Sequence, residues 1–155
     1  MLGKALIQVG QLAPELKLKD QNENLVFLRD FANRKWVVLY FYPKDQTPGC
    51  TKEACNFRDN IDRFISLNVQ VLGVNVDDPR SHQAFSTKHR LNFPLLADTT
   101  KKVTEAYGAL AFYRLPRRMT FVIDPEGKIR KIFNHVNPLN HAEELLAVIK
   151  ELQAE

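Results

Sequence analysis

Apolar and polar positions along this chain switch repeatedly between strand-like and helical periods. The uninterrupted apolar run Trp36-Val37-Val38-Leu39-Tyr40-Phe41-Tyr42 reads as a buried strand, and Val69 to Val76 reads as another. Between them Phe57, Ile61, Phe64 and Ile65 recur at helical spacing, which predicts a helix from Cys50 to about Leu67 with these four on its inner face. Asp78-Pro79 reads as the N-cap and first residue of a helix to about Arg90. Leu16 to Leu18 and Leu25 to Leu28 flank a polar turn, Asp20-Gln21-Asn22-Glu23-Asn24, and predict an N-terminal hairpin. Pro94 to Ala97 reads as a short extended piece and Thr99 to Tyr107 as a short helix. Met119 to Ile123 and Lys128 to Phe133 flank Asp124-Pro125-Glu126-Gly127, a second hairpin signal. Asn140, with Glu143 three residues on, resembles the start of a helix that runs to the C-terminus.

Two buried strands joined by a long helix make a right-handed parallel βαβ unit. The later strands add an antiparallel hairpin. The expected fold class is therefore α/β, a central mixed sheet flanked by helices, with one domain spanning residues 1–155.

Composition narrows the function classes. Hydrophobic content of 45% and charged content of 26% suit an ordinary globular domain. No apolar stretch approaches a membrane span. The stretch Met1 to Ile7 lacks an apolar region of secretory length, and two cysteines make no disulfide scaffold. A reducing, cytoplasm-like compartment is the expectation. The net charge of +4 is spread along the chain, with doublets only at Lys101-Lys102 and Arg117-Arg118. No aromatic-interleaved basic stripe is present, so no nucleic-acid or membrane partner is expected. His82, His89, His135 and His141 are dispersed, with no ligand spacing toward the cysteines, so neither metal nor cofactor is expected.

Both cysteines lie in Pro43-Lys44-Asp45-Gln46-Thr47-Pro48-Gly49-Cys50-Thr51-Lys52-Glu53-Ala54-Cys55, where the strand gives way to the helix. A thiol at Cys50 meets unpaired backbone N–H groups and the positive end of the helix dipole. Both favour thiolate, the nucleophilic form. Two Cα atoms five residues apart on an α-helix are roughly 8.5–9 Å apart. A disulfide tolerates only about 4.4–6.8 Å. Cys50 and Cys55 therefore cannot pair unless the first helical turns unwind, which suits a transient disulfide. Two unrelated buried cysteines also fit the spacing taken alone.

The pattern Pro-x-x-x-Thr-x-x-Cys at the mouth of such a unit resembles the active-site motif of peroxiredoxins. The wider string Phe41-Tyr42-Pro43-Lys44, Thr47-Pro48-Gly49-Cys50-Thr51, Ala54-Cys55 and Phe57-Arg58-Asp59 is similar to the peroxiredoxin Q subfamily, also called bacterioferritin comigratory protein. The resemblance runs from about Gly10 to the C-terminal helix, and it implies a thioredoxin-like fold. It also implies a thiol peroxidase of hydrogen peroxide and organic hydroperoxides. Cys50 would attack the O–O bond and become a sulfenic acid, and Cys55 would resolve it as an intramolecular disulfide. Thioredoxin or a similar dithiol donor would reduce that bond, and the chain would act as a monomer. Thr47 would place a hydroxyl beside the sulfur, although simple turn chemistry also accounts for it. Pro43 would shield the pocket from water while ending the strand.

Arg118, just before Thr120-Phe121-Val122-Ile123, matches the position of the active-site arginine of peroxiredoxins. Arg117 is its neighbour, and alternation along a strand aims only one of the two at the site. Glu53 and Arg58 read mainly as a solvated face, with an ion pair between them as the alternative. Between Gly108 and Arg118 the chain is shorter than in many relatives, which leaves open whether Phe112 and Tyr113 line the site or cap the core. Two other functions remain open. A thioredoxin-like disulfide reductase normally needs Cys-x-x-Cys and a cis-proline opposite, whereas here the cysteines are further apart and Met119 precedes Thr120. A non-enzymatic peroxide sensor or holdase would use the same thiol.

Overall fold

A computed structural model describes residues 7–155, so most of the N-terminal stretch read above lies outside the described residues. The elements in chain order are β1 (Lys17–Lys19), β2 (Leu25–Phe27), β3 (Trp36–Phe41), α1 (Pro48–Ser66), β4 (Val69–Asn75), α2 (Pro79–His89), β5 (Leu95–Ala97), α3 (Lys102–Ala106), β6 (Met119–Ile123), β7 (Ile129–Phe133) and α4 (His141–Gln153). All seven strands form one mixed sheet in the order β2-β1-β5-β4-β3-β6-β7. β3 pairs with β4 in parallel and with β6 antiparallel, so the αβ crossover and the later hairpin meet on the central strand.

The alternation of β3 builds two cores. Val38, Tyr40 and Tyr42 face α1 and α4 and join Phe57, Phe64, Leu145 and Ile149. Val37, Leu39 and Phe41 face the other way, toward Tyr107, Phe121 and Leu16. A strand buried on both faces must be apolar throughout, which is why its sequence shows a continuous run and no alternation. Gly73 on β4 gives the Tyr40 ring its room: a Cβ there would lie 3.0 Å from the ring carbons.

Two expectations need correction. The pattern predicts strand from Leu25 through Leu28, but β2 ends at Phe27 and a 3-10 turn, Leu28–Phe31, follows. Carboxylates draw the backbone into that turn: Asp30 accepts from the Phe27 N–H at 3.0 Å, and Glu15 accepts from the Leu28 N–H at 2.9 Å. On α1, Phe57 and Phe64 are buried, but Ile65 is 61% exposed. At 100° per residue it sits roughly 80° around the helix from Phe57, off the inner stripe. Asn140 is the N-cap of α4, the helix start expected there, although its side chain makes no cap bond. Asn56 of α1 meets this first turn instead: its Oδ1 accepts from the Ala142 N–H at 2.8 Å, and its Nδ2 donates to Glu143 Oε1 at 2.9 Å.

Candidate active site

β3 ends at Phe41, and the chain passes through Pro43 and a bend with Lys44 and Gln46 exposed into α1. Thr47 is the N-cap of α1, with extended backbone, and its carbonyl accepts the first helical bond from the Thr51 N–H at 2.8 Å. The Gly49 and Cys50 N–H groups precede that bond and so have no partner within the helix. Cys50 lies in the first turn of α1 and is 1% exposed, whereas Cys55 is half-buried one and a half turns further on. Both thiols are free, and one continuous helix carries both.

Met119 of β6 pairs with Phe41 of β3, which sets Arg118 beside the end of the central strand. Its Nη2 donates to Cys50 Sγ at 3.4 Å, and its Nη1 donates to Glu53 Oε1 at 2.6 Å. Arg117 turns away, and its guanidinium donates to the Gly108 carbonyl at 2.7 Å. Gly49 lets the guanidinium approach the helix, because a Cβ there would sit 3.3 Å from Arg118 Nη2.

Glu53 departs from the expected solvated face. It is fully buried and pairs with Arg118, while Arg58 instead meets Asp59 at 2.9 Å and the His89 carbonyl at 2.7 Å. Burial pushes the Glu53 carboxyl up to about 7 against the pull of Arg118. Only one of its oxygens takes the arginine, and Oε2 has no hydrogen-bond partner among the described residues. For Arg118, burial works against the charge, but Glu53 and Cys50 outweigh it and hold the guanidinium above its ordinary value.

The Thr47 hydroxyl donates to the Lys44 carbonyl at 2.8 Å, a turn bond, which leaves its lone pairs for another donor. Pro43 is half-buried beside it and carries no N–H. Phe112 is 95% exposed and Tyr113 54% exposed, so neither caps the core.

Sequence reasoning missed the anchor beneath the loop. Asp45 is buried between Pro43 and Thr47, and its Oδ1 accepts from the Tyr42 hydroxyl at 2.7 Å and from Asn75 Nδ2 at 3.1 Å. Its Oδ2 accepts from Ser81 Oγ at 2.8 Å and meets His82 Nδ1 at 2.6 Å. The other ring nitrogen of His82 faces the Leu96 carbonyl at 3.0 Å, so both nitrogens of this buried ring have acceptors. Burial alone would raise the Asp45 carboxyl, but hydrogen bonds from His82, Tyr42 and Ser81 hold it below the usual carboxylate range. His141 is the second buried histidine, set 2.8 Å from Thr120 Oγ1 with its ring edge-on to Phe57 and Phe133. The partners that bury these rings, Thr120 for His141 and Asp45 for His82, lie 21 and 37 residues away in sequence, although His141 also meets Glu144, three residues on, at 3.0 Å.

A helix N-terminal thiol with a fixed arginine, at the carboxyl end of a central strand, is an arrangement for holding a nucleophilic sulfur anion. The sequence profile of the AhpC/TSA family matches residues 9–132. The chain belongs to the AhpC/TSA family. Within it the chain falls with the peroxiredoxin Q and Bcp proteins. It is 42% identical to the chloroplastic peroxiredoxin Q of Populus jackii over 151 residues, covering 96% of this chain and 70% of that one. It is 40% identical to peroxiredoxin Bcp of Bacillus subtilis (strain 168), covering 94% of this chain and 97% of that one. Among solved structures, a Xanthomonas campestris bacterioferritin comigratory protein, described for its alkyl peroxide reduction activity, superposes with a TM-score of 0.83. It is 33% identical, and the match covers 88% of this chain and 90% of that one. The fold is thus thioredoxin-like, and this peroxiredoxin is a thiol peroxidase. Among the described residues no helix is long and apolar enough to cross a membrane.

Proposed function

We propose that Cys50 is the peroxidatic nucleophile of this enzyme, Cys55 the resolving thiol, and Arg118, Thr47 and Pro43 the groups that bind and activate the hydroperoxide. The observation that carries the reading is the Arg118 Nη2 donor 3.4 Å from a buried sulfur at the start of α1. The Cys50 thiolate attacks the near oxygen of ROOH, the O–O bond breaks, and the alkoxide or hydroxide takes a proton and leaves as ROH or water. Arg118 and the first N–H groups of α1 stabilise the negative charge as it moves to the leaving oxygen. The Thr47 hydroxyl accepts the hydrogen bond of the hydroperoxide O–H, which orients the O–O axis toward sulfur. Pro43 narrows the approach without adding a competing donor. Cys50 is left as a sulfenic acid.

The Cys55 thiol then attacks the sulfenic sulfur, releases water and forms a disulfide. A dithiol donor of the thioredoxin class reduces that bond by exchange, is itself oxidised to a disulfide, and returns both thiols. Both cysteines of this cycle lie on α1, so the chemistry needs no second subunit. We therefore take the working unit as a single-domain monomer in a reducing compartment.

The test is peroxide consumption with thioredoxin and its reductase, on wild type and on each Cys→Ser variant. Cys50→Ser should abolish turnover, and retention of more than about a tenth of the rate, a loss far below that of deleting a nucleophile, refutes its role. Cys55→Ser should react once, accumulate sulfenic or more oxidised Cys50 by mass spectrometry, and fail to turn over with thioredoxin. Normal turnover removes Cys55 from the mechanism. A sensor or holdase would show the Cys50 oxidation without sustained turnover in the wild type.

A further inference from the structure

We infer that Asn56 is a positioning residue for the resolution step: its bonds to α4 stop the unwinding of α1 at Cys55 and hold the resolving thiol in place. The inference rests on the Cys50–Cys55 disulfide proposed above. Bringing two cysteines from roughly 9 Å to disulfide distance requires the turns between them to open. How far the opening spreads is decided by what holds the helix on either side.

Downstream the hold begins at residue 56. Asn56 Oδ1 accepts from the Ala142 N–H at 2.8 Å, and its Nδ2 donates to Glu143 Oε1 at 2.9 Å. Its backbone carbonyl takes a further bond from Asn60 Nδ2 at 2.8 Å. Phe57 is fully buried and stacks on Tyr40 with ring centroids 4.5 Å apart. Arg58 donates to the His89 carbonyl at 2.7 Å, and its own carbonyl accepts from Asn92 Nδ2 at 3.2 Å. Contacts from three successive residues thus tie this part of α1 to α4, β3, the end of α2 and the loop after it.

Upstream the hold ends at Asp45, fixed by its carboxylate bonds and by its N–H, which donates to Asp77 Oδ2 at 2.9 Å. Gln46 follows with φ +65°, a left-handed conformation that a non-glycine residue adopts at a cost. Between these two holds, the side chains of α1 that reach partners elsewhere in the fold through charge are Cys50 and Glu53, both on Arg118. Oxidation of Cys50 removes the sulfur anion from that pair. Residues 46–55 are therefore the unit that rearranges, and Cys55 is its last residue, next to a fixed point. A freed Cys50 sulfenic acid then searches for a thiol tethered directly to that fixed point, which keeps its effective concentration high.

The experiment is hydrogen exchange and rapid-quench mass spectrometry on the full chain. In the wild type, oxidation should speed amide exchange from residue 46 to residue 59, because the N–H groups up to 59 take their acceptors from the opened segment, and leave residues 60–64 protected. In Asn56→Ala the faster exchange should spread past residue 59. Resolution of the Cys50 sulfenic acid should slow by about tenfold, the scale of losing one to two net hydrogen bonds. More Cys50 should then react with a second hydroperoxide to the sulfinic acid, and the first reaction with peroxide should change by less than about twofold, because Asn56 touches nothing at the sulfur. Asn56→Asp combined with Glu143→Gln should restore the wild-type boundary and partition, since Asp accepts from the Ala142 N–H and from the Gln amide. A purely structural role for Asn56 would lower the melting temperature and leave the split between disulfide and sulfinic acid unmoved. That result overturns the inference while the wild-type disulfide still forms. If the wild type itself never pairs Cys50 with Cys55, the proposed cycle fails and the inference with it.

Discussion

Arg118 is shared between two acceptors with different demands: the Cys50 sulfur at 3.4 Å and the Glu53 carboxylate at 2.6 Å. The shorter bond fixes the fork and the longer one aims its second nitrogen, so the cation cannot drift from the sulfur without stranding a buried carboxylate. Arg118→Ala should lower the peroxide rate by about a hundredfold, on the order of 3 kcal/mol of transition-state stabilisation. Arg117→Ala should leave it within about threefold, because its guanidinium holds the Gly108 carbonyl and faces away from the sulfur. Stopped-flow measurement of the first oxidation step separates them, and a reversed order would mean that the strand presents the other arginine.

At the scale of the element, α1 holds two thiols that cannot bond while it is a helix. Unwinding its start gives up backbone hydrogen bonds and the packing of Cys50 and Ala54, both buried. The oxidised protein should therefore show less helical circular dichroism than the dithiol form and faster exchange around both cysteines. Reduced and oxidised structures that superpose through residues 47–58 would contradict this, for the disulfide would then fit the resting helix. The turn is a suitable place for such a change. Pro48 contributes no N–H, Gly49 has no side chain to pack, and Thr47 makes no side-chain cap. The loop before it is firm, because Asp45 ties it to α2 and to the end of β4.

For the whole molecule, the buried Glu53 links folding to pH. Its folded carboxyl binds a proton more tightly than the unfolded one, about 7 against 4.5. The stabilisation from that proton is complete below the unfolded value and is lost as pH rises through the folded one. The reduced protein should lose at most about 3 kcal/mol of unfolding free energy to this group across the window. His141 acts in the opposite sense. Burial depresses it, with Glu144 pulling the other way, so its contribution is lost as pH falls below the ordinary histidine value. Urea unfolding of wild type against Glu53→Gln isolates the carboxyl: the Gln variant should lack the decline between pH 4.5 and about 7. Equal slopes in the two proteins would place the ionised form of Glu53 at no disadvantage in the fold.

The order of elements, the Pro-x-x-x-Thr-x-x-Cys motif and the helix-start position of Cys50 were all legible in the sequence, because each is a local pattern. A doubly buried strand must be apolar along its length, a proline at a helix start shows itself, and five residues on a helix span a known distance. The tertiary structure alone decided what lies around the sulfur. Glu53 is a charged residue in the first turns of a helix, and nothing nearby distinguishes it from a solvated one; its burial depends on Arg118, 65 residues later. Asp45 sits inside the motif, but its work is done by Tyr42, Asn75, Ser81 and His82, which only the folded sheet brings together. Asn140 opens α4, yet its side chain makes no cap, and Asn56 from another helix takes the Ala142 N–H and the Glu143 carboxylate. Local periodicity reports which face of an element is buried. It does not report which polar groups meet there, because those partners are chosen by strand order and helix packing, across separations that leave no repeat in the chain.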